Sequence, residues 1–369
     1  MSLKRIVIKI GTNVLQQTNG KLDYKLISEL TAQIARIRSN GHEVLLVSSG
    51  SVGAGRELCS VDESGNTLAS HQILASVGQA KLIQIYSDSF RKHKTTVAQI
   101  LLTRGDFGLR KSYLNIRNTL ENLLKYRIVP VVNENDVVAT EELVLNFGDN
   151  DLLAVYLATL IGADQLFFLT VAPGLLKEVE TAQGKQSKVV AKVEKLTEEI
   201  VQHCLPFTSA GGKGGMESKV RSAGMAMSFG IDTYIIDGKF PAGVFEIMEG
   251  RPLGTHFVAH GRKIRSYQKW LAAGALNKGT LIIDQGAEQA LLKNKKSLLA
   301  RGVARVEGQF EDKDLVEIHN LEGVKLGVGR ADCSAKELRY QIKERNLTNS
   351  KVNTRSGKPV IHRNHLFLE

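Results

Sequence analysis

The feature that most constrains this chain is the rhythm of its first 250 residues. Short apolar, β-rich runs alternate there with stretches whose apolar residues recur at helical spacing. Parallel strands are buried on both faces and need long crossovers between them, so this alternation reads as a largely parallel sheet layered between helices. Arg5–Ile10 opens the series as a strand. Asp23 stands where a helix cap is needed, and Leu26, Ile27, Leu30, Ile34 and Ile37 follow on one face until Gly41 ends the run. Further strands are expected at 44–47, 97–102, 128–132, 165–170 and 233–236, with helices near 71–92, 113–126, 151–162 and 217–229. The fold class is α/β, one αβα sandwich with a mainly parallel sheet.

Beyond residue 250 the rhythm changes. The basic stretch Arg262-Lys263-Ile264-Arg265 and the lone tryptophan, Trp270, mark a linker over 259–275. A catalytic domain is therefore expected at 1–258 and a small β-rich domain at 276–369, as suits a chain of 369 residues. The second domain should hold short strands near 280–284, 303–307, 314–319 and 324–329, with only brief helical segments. Residues 260–369 carry 21 Lys/Arg against 12 Asp/Glu, so most of the formal charge of +11 sits there. That excess suits a polyanion such as RNA, and equally a solvated face. The longest apolar stretch, 152–163, is too short for a bilayer span, and the N-terminus runs straight into a strand. Cys59, Cys204 and Cys333 have neither metal-ligand spacing nor a disulfide framework. A soluble cytoplasmic chain is expected.

Ligands in open α/β sheets bind beyond the C-terminal ends of strands, and four such places carry unusual residues. The first strand ends in Lys9-Ile10-Gly11-Thr12, where glycine lets backbone N–H groups approach a phosphate and Lys9 supplies charge. The second ends in Ser48-Ser49-Gly50-Ser51-Val52-Gly53-Ala54-Gly55, a small-residue turn that can open into a helix or simply need glycine. Asn133-Glu134-Asn135-Asp136 and Gly148-Asp149-Asn150-Asp151 are dense Asn/Asp clusters at a strand end and a helix start. Capping is their ordinary work, but two so close together can clamp the ammonium and carboxylate of an amino acid and orient a lysine. The fourth is Gly211-Gly212-Lys213-Gly214-Gly215-Met216-Glu217-Ser218-Lys219, a loop whose N–H groups can wrap a triphosphate. The Walker A pattern occurs nowhere in the chain. Phosphoryl transfer to a carboxylate asks only for alignment and charge neutralisation, so two lysines and a magnesium ion suffice without a general base.

Together these elements resemble the amino acid kinase family, and within it the branch acting on the side-chain carboxylate of free glutamate. The resemblance rests on Val7-Ile8-Lys9-Ile10-Gly11-Thr12, Ser48-Ser49-Gly50 with Ala54-Gly55-Arg56-Glu57, Pro130 to Asp136, Gly148 to Asp151, and Gly214-Gly215-Met216 with Lys219. It spans nearly the whole chain. The C-terminal segment is similar to a PUA domain through Gly279 to Ala287, Lys296-Ser297-Leu298-Leu299 with Gly302-Val303, and Glu307-Gly308-Gln309-Phe310. The resemblance implies Lys9 and Lys219 as the lysines on the transferred phosphoryl and Asp151 as the acid that organises them. It implies Ser49, Gly50, Asn133, Asp136 and Asn150 as glutamate-binding residues. Lys9, Gly11, Thr170, Val171, Lys213, Gly214, Gly215, Met216, Glu217, Ser218 and Lys219 are implied for ATP, with Mg2+ as companion. No residue is assigned to a metal.

Two departures stand out. Thr170-Val171-Ala172-Pro173-Gly174-Leu175-Leu176 replaces the usual Thr-Asp-x-x-Gly-Leu-Tyr, losing a carboxylate and a phenol. Lys213 and Ser218 stand where threonines are usual. The resemblance further implies a homo-oligomer, dimer or tetramer, and inhibition by proline through Ser112–Leu124 and Asn133–Asp136. The alternatives are a sister kinase acting on aspartate, carbamate or a uridine nucleotide, and an RNA-binding protein working through the basic tail. The Asn133–Asp136 element and the PUA-like tail argue against the sister kinases.

Overall fold

The computed structural model describes residues 3–63, 68–108, 110–138, 150–181, 184–202, 215–260, 278–348 and 358–368. By internal contacts the chain divides into two compact units, Met1–Thr103 with Leu114–Lys263, and Arg104–Tyr113 with Ile264–Glu369. The linker expected at 259–275, with Trp270, lies almost wholly outside the described residues.

In the first unit, β1 (Arg5–Ile10), β2 (Glu43–Ser48), β3 (Val97–Leu102), β4 (Val129–Glu134) and β5 (Gln165–Thr170) are followed by the hairpin β6 (Leu176–Thr181) and β7 (Gly184–Val189). The short β8 (Lys192–Val193), β9 (Asp232–Asp237) and β10 (Thr255–Phe257) complete the unit. Eight of these form one sheet in the order β3-β4-β2-β1-β5-β9-β10-β8. All its pairings are parallel except β9 with β10. The central strands are buried on both faces; every residue of β5 is buried, which is why they read as continuous apolar runs.

The helices follow their expected caps and faces. Asp23 caps Tyr24–Ser39 by accepting from the Leu26 N–H at 3.0 Å, and that helix buries Leu26, Ile27, Leu30, Ile34 and Ile37 against the sheet. Helix Leu68–Arg91 packs on the short helix Ser51–Arg56 with the backbones in contact. A Cβ on Gly78 would stand 1.8 Å from the Ser51 carbonyl, and one on Gly55 2.0 Å from that of Leu74. Helix Asn150–Ile161 is buried nearly all round, and its first turn carries Asp151.

The second unit holds β11 (Gly279–Ile283), β12 (Val303–Gly308), β13 (Leu315–His319), β14 (Lys325–Arg330) and β15 (Leu366–Leu368), in the order β12-β11-β13-β14-β15. Leu281, Ile283, Val316, Ile318, Leu338 and Ile361 form its separate core. The helical segments there are not all brief, since Ala335–Thr348 runs for 14 residues and buries Leu338.

Candidate active site

The C-terminal ends of β1, β2, β4 and β5 converge on one edge of the sheet, where the sequence placed its candidates. Lys9 is the penultimate residue of β1, and Lys219 lies in the first turn of helix Met216–Ser228. Between them stands Asp151, its Oδ1 2.5 Å from the Lys9 Nζ and its Oδ2 3.0 Å from the Lys219 Nζ. The three are 4, 0 and 6% exposed in the order Lys9, Asp151, Lys219, so the trio is a buried ion network. Burial alone would raise the Asp151 carboxyl. The two lysines outweigh it and hold the group below the usual aspartate value. Its place in the first turn of a twelve-residue helix adds the favourable end of the helix dipole. Within the trio one carboxylate stands against two ammonium groups, a balance suited to a moving phosphoryl.

Beside the trio lies a chain of amides. The Asn150 Nδ2 donates to the Ser49 Oγ at 2.9 Å and to the Asn133 Oδ1 at 3.1 Å, while the Asn133 Nδ2 donates to the Gln79 Oε1 at 2.9 Å. The Asn150 Oδ1 is buried with no hydrogen-bond partner. Asp136 accepts from the Ser51 Oγ at 3.1 Å. Gly50 takes φ of 111°, a left-handed turn that glycine adopts without strain, and so carries the chain from β2 into helix Ser51–Arg56. Ser49, Gly50, Asn133, Asp136 and Asn150 are thus brought to one place. Glu57, at the end of that helix, is taken by Lys81, Tyr24 and the Leu22 N–H, and braces the turn from behind.

On the nucleotide side, the Gly11 N–H faces the Leu169 carbonyl at 3.5 Å, which brings Gly11 next to Thr170 at the end of β5. Val171 follows, 47% exposed. Gly215 precedes helix Met216–Ser228, and among the described residues a Cβ there would meet nothing within 4 Å. Met216, Glu217 and Ser218 form the first turn, with Glu217 accepting from the Arg221 Nε at 2.8 Å. Lys213 and Gly214 lie outside the described residues, as do Gly148 and Asp149.

Sequence reasoning missed Gln79, Ser51 and Tyr86, whose hydroxyl meets the Ser48 Oγ at 2.7 Å. A glutamine or tyrosine on an amphipathic helix carries no signal of its own; the small-residue stretch from Ser48 could have drawn attention to Ser51. A cavity of about 520 Å³ opens at the opposite edge of the sheet, lined by Lys4, Arg38, Lys125 and Arg127 among others. Two of these charges are engaged at helix ends, Arg38 donating to the Arg127 carbonyl at 2.8 Å and Arg127 to that of Arg38.

Comparisons with known proteins identify the family. The amino acid kinase family model matches residues 4–237, and the PUA domain model residues 279–350. Over 368 residues the chain is 39% identical to a glutamate 5-kinase of Chlorobaculum tepidum, covering 99% of this chain and 97% of that protein. It is 38% identical to a glutamate 5-kinase of Dehalococcoides mccartyi, covering 99% and 98%. A third glutamate 5-kinase, from Nostoc punctiforme, is 37% identical over 99% of both chains.

Proposed function

The chain belongs to the amino acid kinase family and, within it, to the glutamate 5-kinases, and from that premise we propose how its own residues divide the work. It is a kinase that phosphorylates the side-chain carboxylate of glutamate from ATP, the first step from glutamate to proline. A carboxylate oxygen forms a bond to the terminal phosphorus of ATP as the bond from that phosphorus to the β-phosphate oxygen breaks. ADP leaves with the electron pair, and glutamyl 5-phosphate remains. The acceptor is ionised at neutral pH, so no side chain need remove a proton.

Lys9 and Lys219 neutralise the transferred phosphoryl, and Asp151 holds them side by side. The Ser49 hydroxyl accepts from Asn150 and so keeps its own proton for the substrate's α-carboxylate, with the Gly50 N–H beside it. The Asn150 Oδ1, buried and unpartnered, receives the ammonium together with Asp136. Gly11, Thr170 and Val171 flank the nucleotide on one side, and residues 213–219 on the other. The single observation that carries this reading is the buried Lys9–Asp151–Lys219 trio standing next to an unsatisfied amide oxygen.

Magnesium accompanies the nucleotide. Among the described residues no group of three His, Cys, Asp or Glu could hold a metal ion, and Asp151 is engaged by two lysines. No step above runs through a metal ion. ADP release measured with glutamate, aspartate and N-acetylglutamate at pH 7 tests the assignment; equal rates would overturn it.

The remaining expectations belong to this proposal. The chain works in the cytoplasm; no helix among the described residues is long and apolar enough to cross a membrane. It forms a homo-oligomer, supported by exposed Ile73, Val77, Val137 and Val138 in a region where Gln72 bonds the Val137 carbonyl. Proline inhibits through Ser112–Leu124 and Asn133–Asp136, since the latter segment carries two of the acceptor-site residues; a flat activity curve against proline would dispose of this. The basic C-terminal unit binds RNA, supported by its charge excess; binding to tRNA that vanishes at physiological salt would dispose of that.

A further inference from the structure

Helix Leu68–Arg91 touches the acceptor site at two places that the chemistry above does not use. The Gln79 Oε1 accepts from the Asn133 Nδ2 at 2.9 Å, and the Gln72 Nε2 donates to the Val137 carbonyl at 3.0 Å. Residues seven apart share a helix face two turns apart, about 10 Å along the axis. One helix face therefore grips both ends of Asn133–Val138, the segment that carries Asn133 and Asp136.

We infer that Gln79 is a positioning residue that fixes which atom of Asn150 faces the substrate's ammonium. An asparagine amide can present its oxygen or its nitrogen, and the network decides which. With its Nδ2 taken by Gln79, Asn133 turns its Oδ1 toward Asn150. Asn150 must then donate through its Nδ2, which it does both to Asn133 and to Ser49. Its Oδ1 is left as a buried acceptor. If the Gln79 acceptor is removed, Asn133 can turn over. Asn150 follows, and an N–H group then faces the ammonium where an oxygen should stand. Gln79 acts through Asn133 and Asn150; a turned Asn150 would also draw on the Ser49 hydroxyl, but that loss falls on the α-carboxylate, which glutamate shares with its deaminated analogue. Gly78, beside it, is the residue whose backbone meets Ser51, so the helix has no slack with which to shift Gln79 away.

This rests on the reading that the acceptor is an amino acid, and glutarate, the same dicarboxylate without the amino group, separates the two claims. In Gln79→Leu the preference for glutamate over glutarate in kcat/KM should fall about tenfold, the scale of one hydrogen bond to a charged group. The KM for ATP and the thermal midpoint should stay at wild-type values. Gln79→Glu keeps an acceptor oxygen at the same place and should hold the preference within about threefold of wild type. Gln79→Met serves as the second apolar variant should the leucine not fold. A preference unchanged in the apolar variants, or lost equally in Gln79→Glu, overturns the inference. A wild-type enzyme with no preference for glutamate over glutarate instead overturns the reading beneath it.

Discussion

Replacing Asp151 by asparagine removes the charge that Lys9 and Lys219 share and leaves two buried ammonium groups facing a neutral amide. At an effective dielectric of about 20, each contact of 2.5 or 3.0 Å attracts by about 6 kcal/mol. Desolvation of three buried ions cancels most of that, and breaking such a network by removing one member costs about 3–5 kcal/mol. Asp151→Asn should therefore lose about 3–5 kcal/mol in urea unfolding at pH 7. Its kcat for ADP release should fall about 10²- to 10³-fold, since the lysines no longer converge on the phosphoryl.

The loss should depend on pH in one direction. The folded carboxyl titrates below its ordinary value, so its contribution is present above that value and disappears as pH falls through the folded one. The stabilities of wild type and variant should therefore begin to converge below about pH 4 and meet only below the folded value. A triple variant, Lys9→Met, Asp151→Leu and Lys219→Met, separates stability from chemistry. It should recover most of the lost stability while remaining inactive, because a fully apolar replacement of a buried ion network is commonly neutral. Asp151→Asn as stable as wild type at pH 7, with kcat within threefold, would refute the reasoning.

Further outcomes can be checked at modest effort. Lys9→Ala and Lys219→Ala should lower kcat far more than they raise the KM for glutamate, and unchanged rates would refute their roles. Gly78→Ala should cost about 3 kcal/mol, the upper end for overpacking, because its Cβ would meet backbone atoms of residues 51 and 55 rather than a movable side chain; a thermal midpoint at the wild-type value would contradict the close approach. Tyr86→Phe should cost about 1 kcal/mol through loss of the buried bond to Ser48. The Cys333 thiol is raised to about 11, first by burial and then by Glu337, Asp312 and Asp332, so it should resist iodoacetamide at pH 7.5; rapid alkylation seen by mass spectrometry would argue otherwise.

Much of the fold was legible because parallel strands must be apolar on both faces. Arg5–Ile10, Val97–Leu102 and Gln165–Thr170 stand where the runs predicted, and the helices begin within a few residues of their expected places. The hairpin of Leu176–Thr181 with Gly184–Val189 was not legible. Its residues are largely charged or polar, and its order comes from pairing rather than from burial. The closing strand Leu366–Leu368 was missed because three residues carry no periodicity, and it gains its partner only from β14, far away in sequence. At the site, Lys9 stood at a strand end and Asp151 and Lys219 at helix starts, but it was the family resemblance that singled them out. Nothing singled out Gln79, because its importance lies in what Asn133 does with its other end.

The Lys9–Asp151–Lys219 trio also bears on how the molecule comes together and apart. Its members come from three well-separated stretches of the chain, and none can be buried cheaply before the others arrive. The trio should therefore close after the sheet has collapsed, so that substitutions in it speed unfolding and leave the folding rate nearly unchanged. The same order runs backwards on warming. The ionic centre should loosen while the apolar layers still hold, and catalytic competence should fade at a lower temperature than the one at which the protein melts.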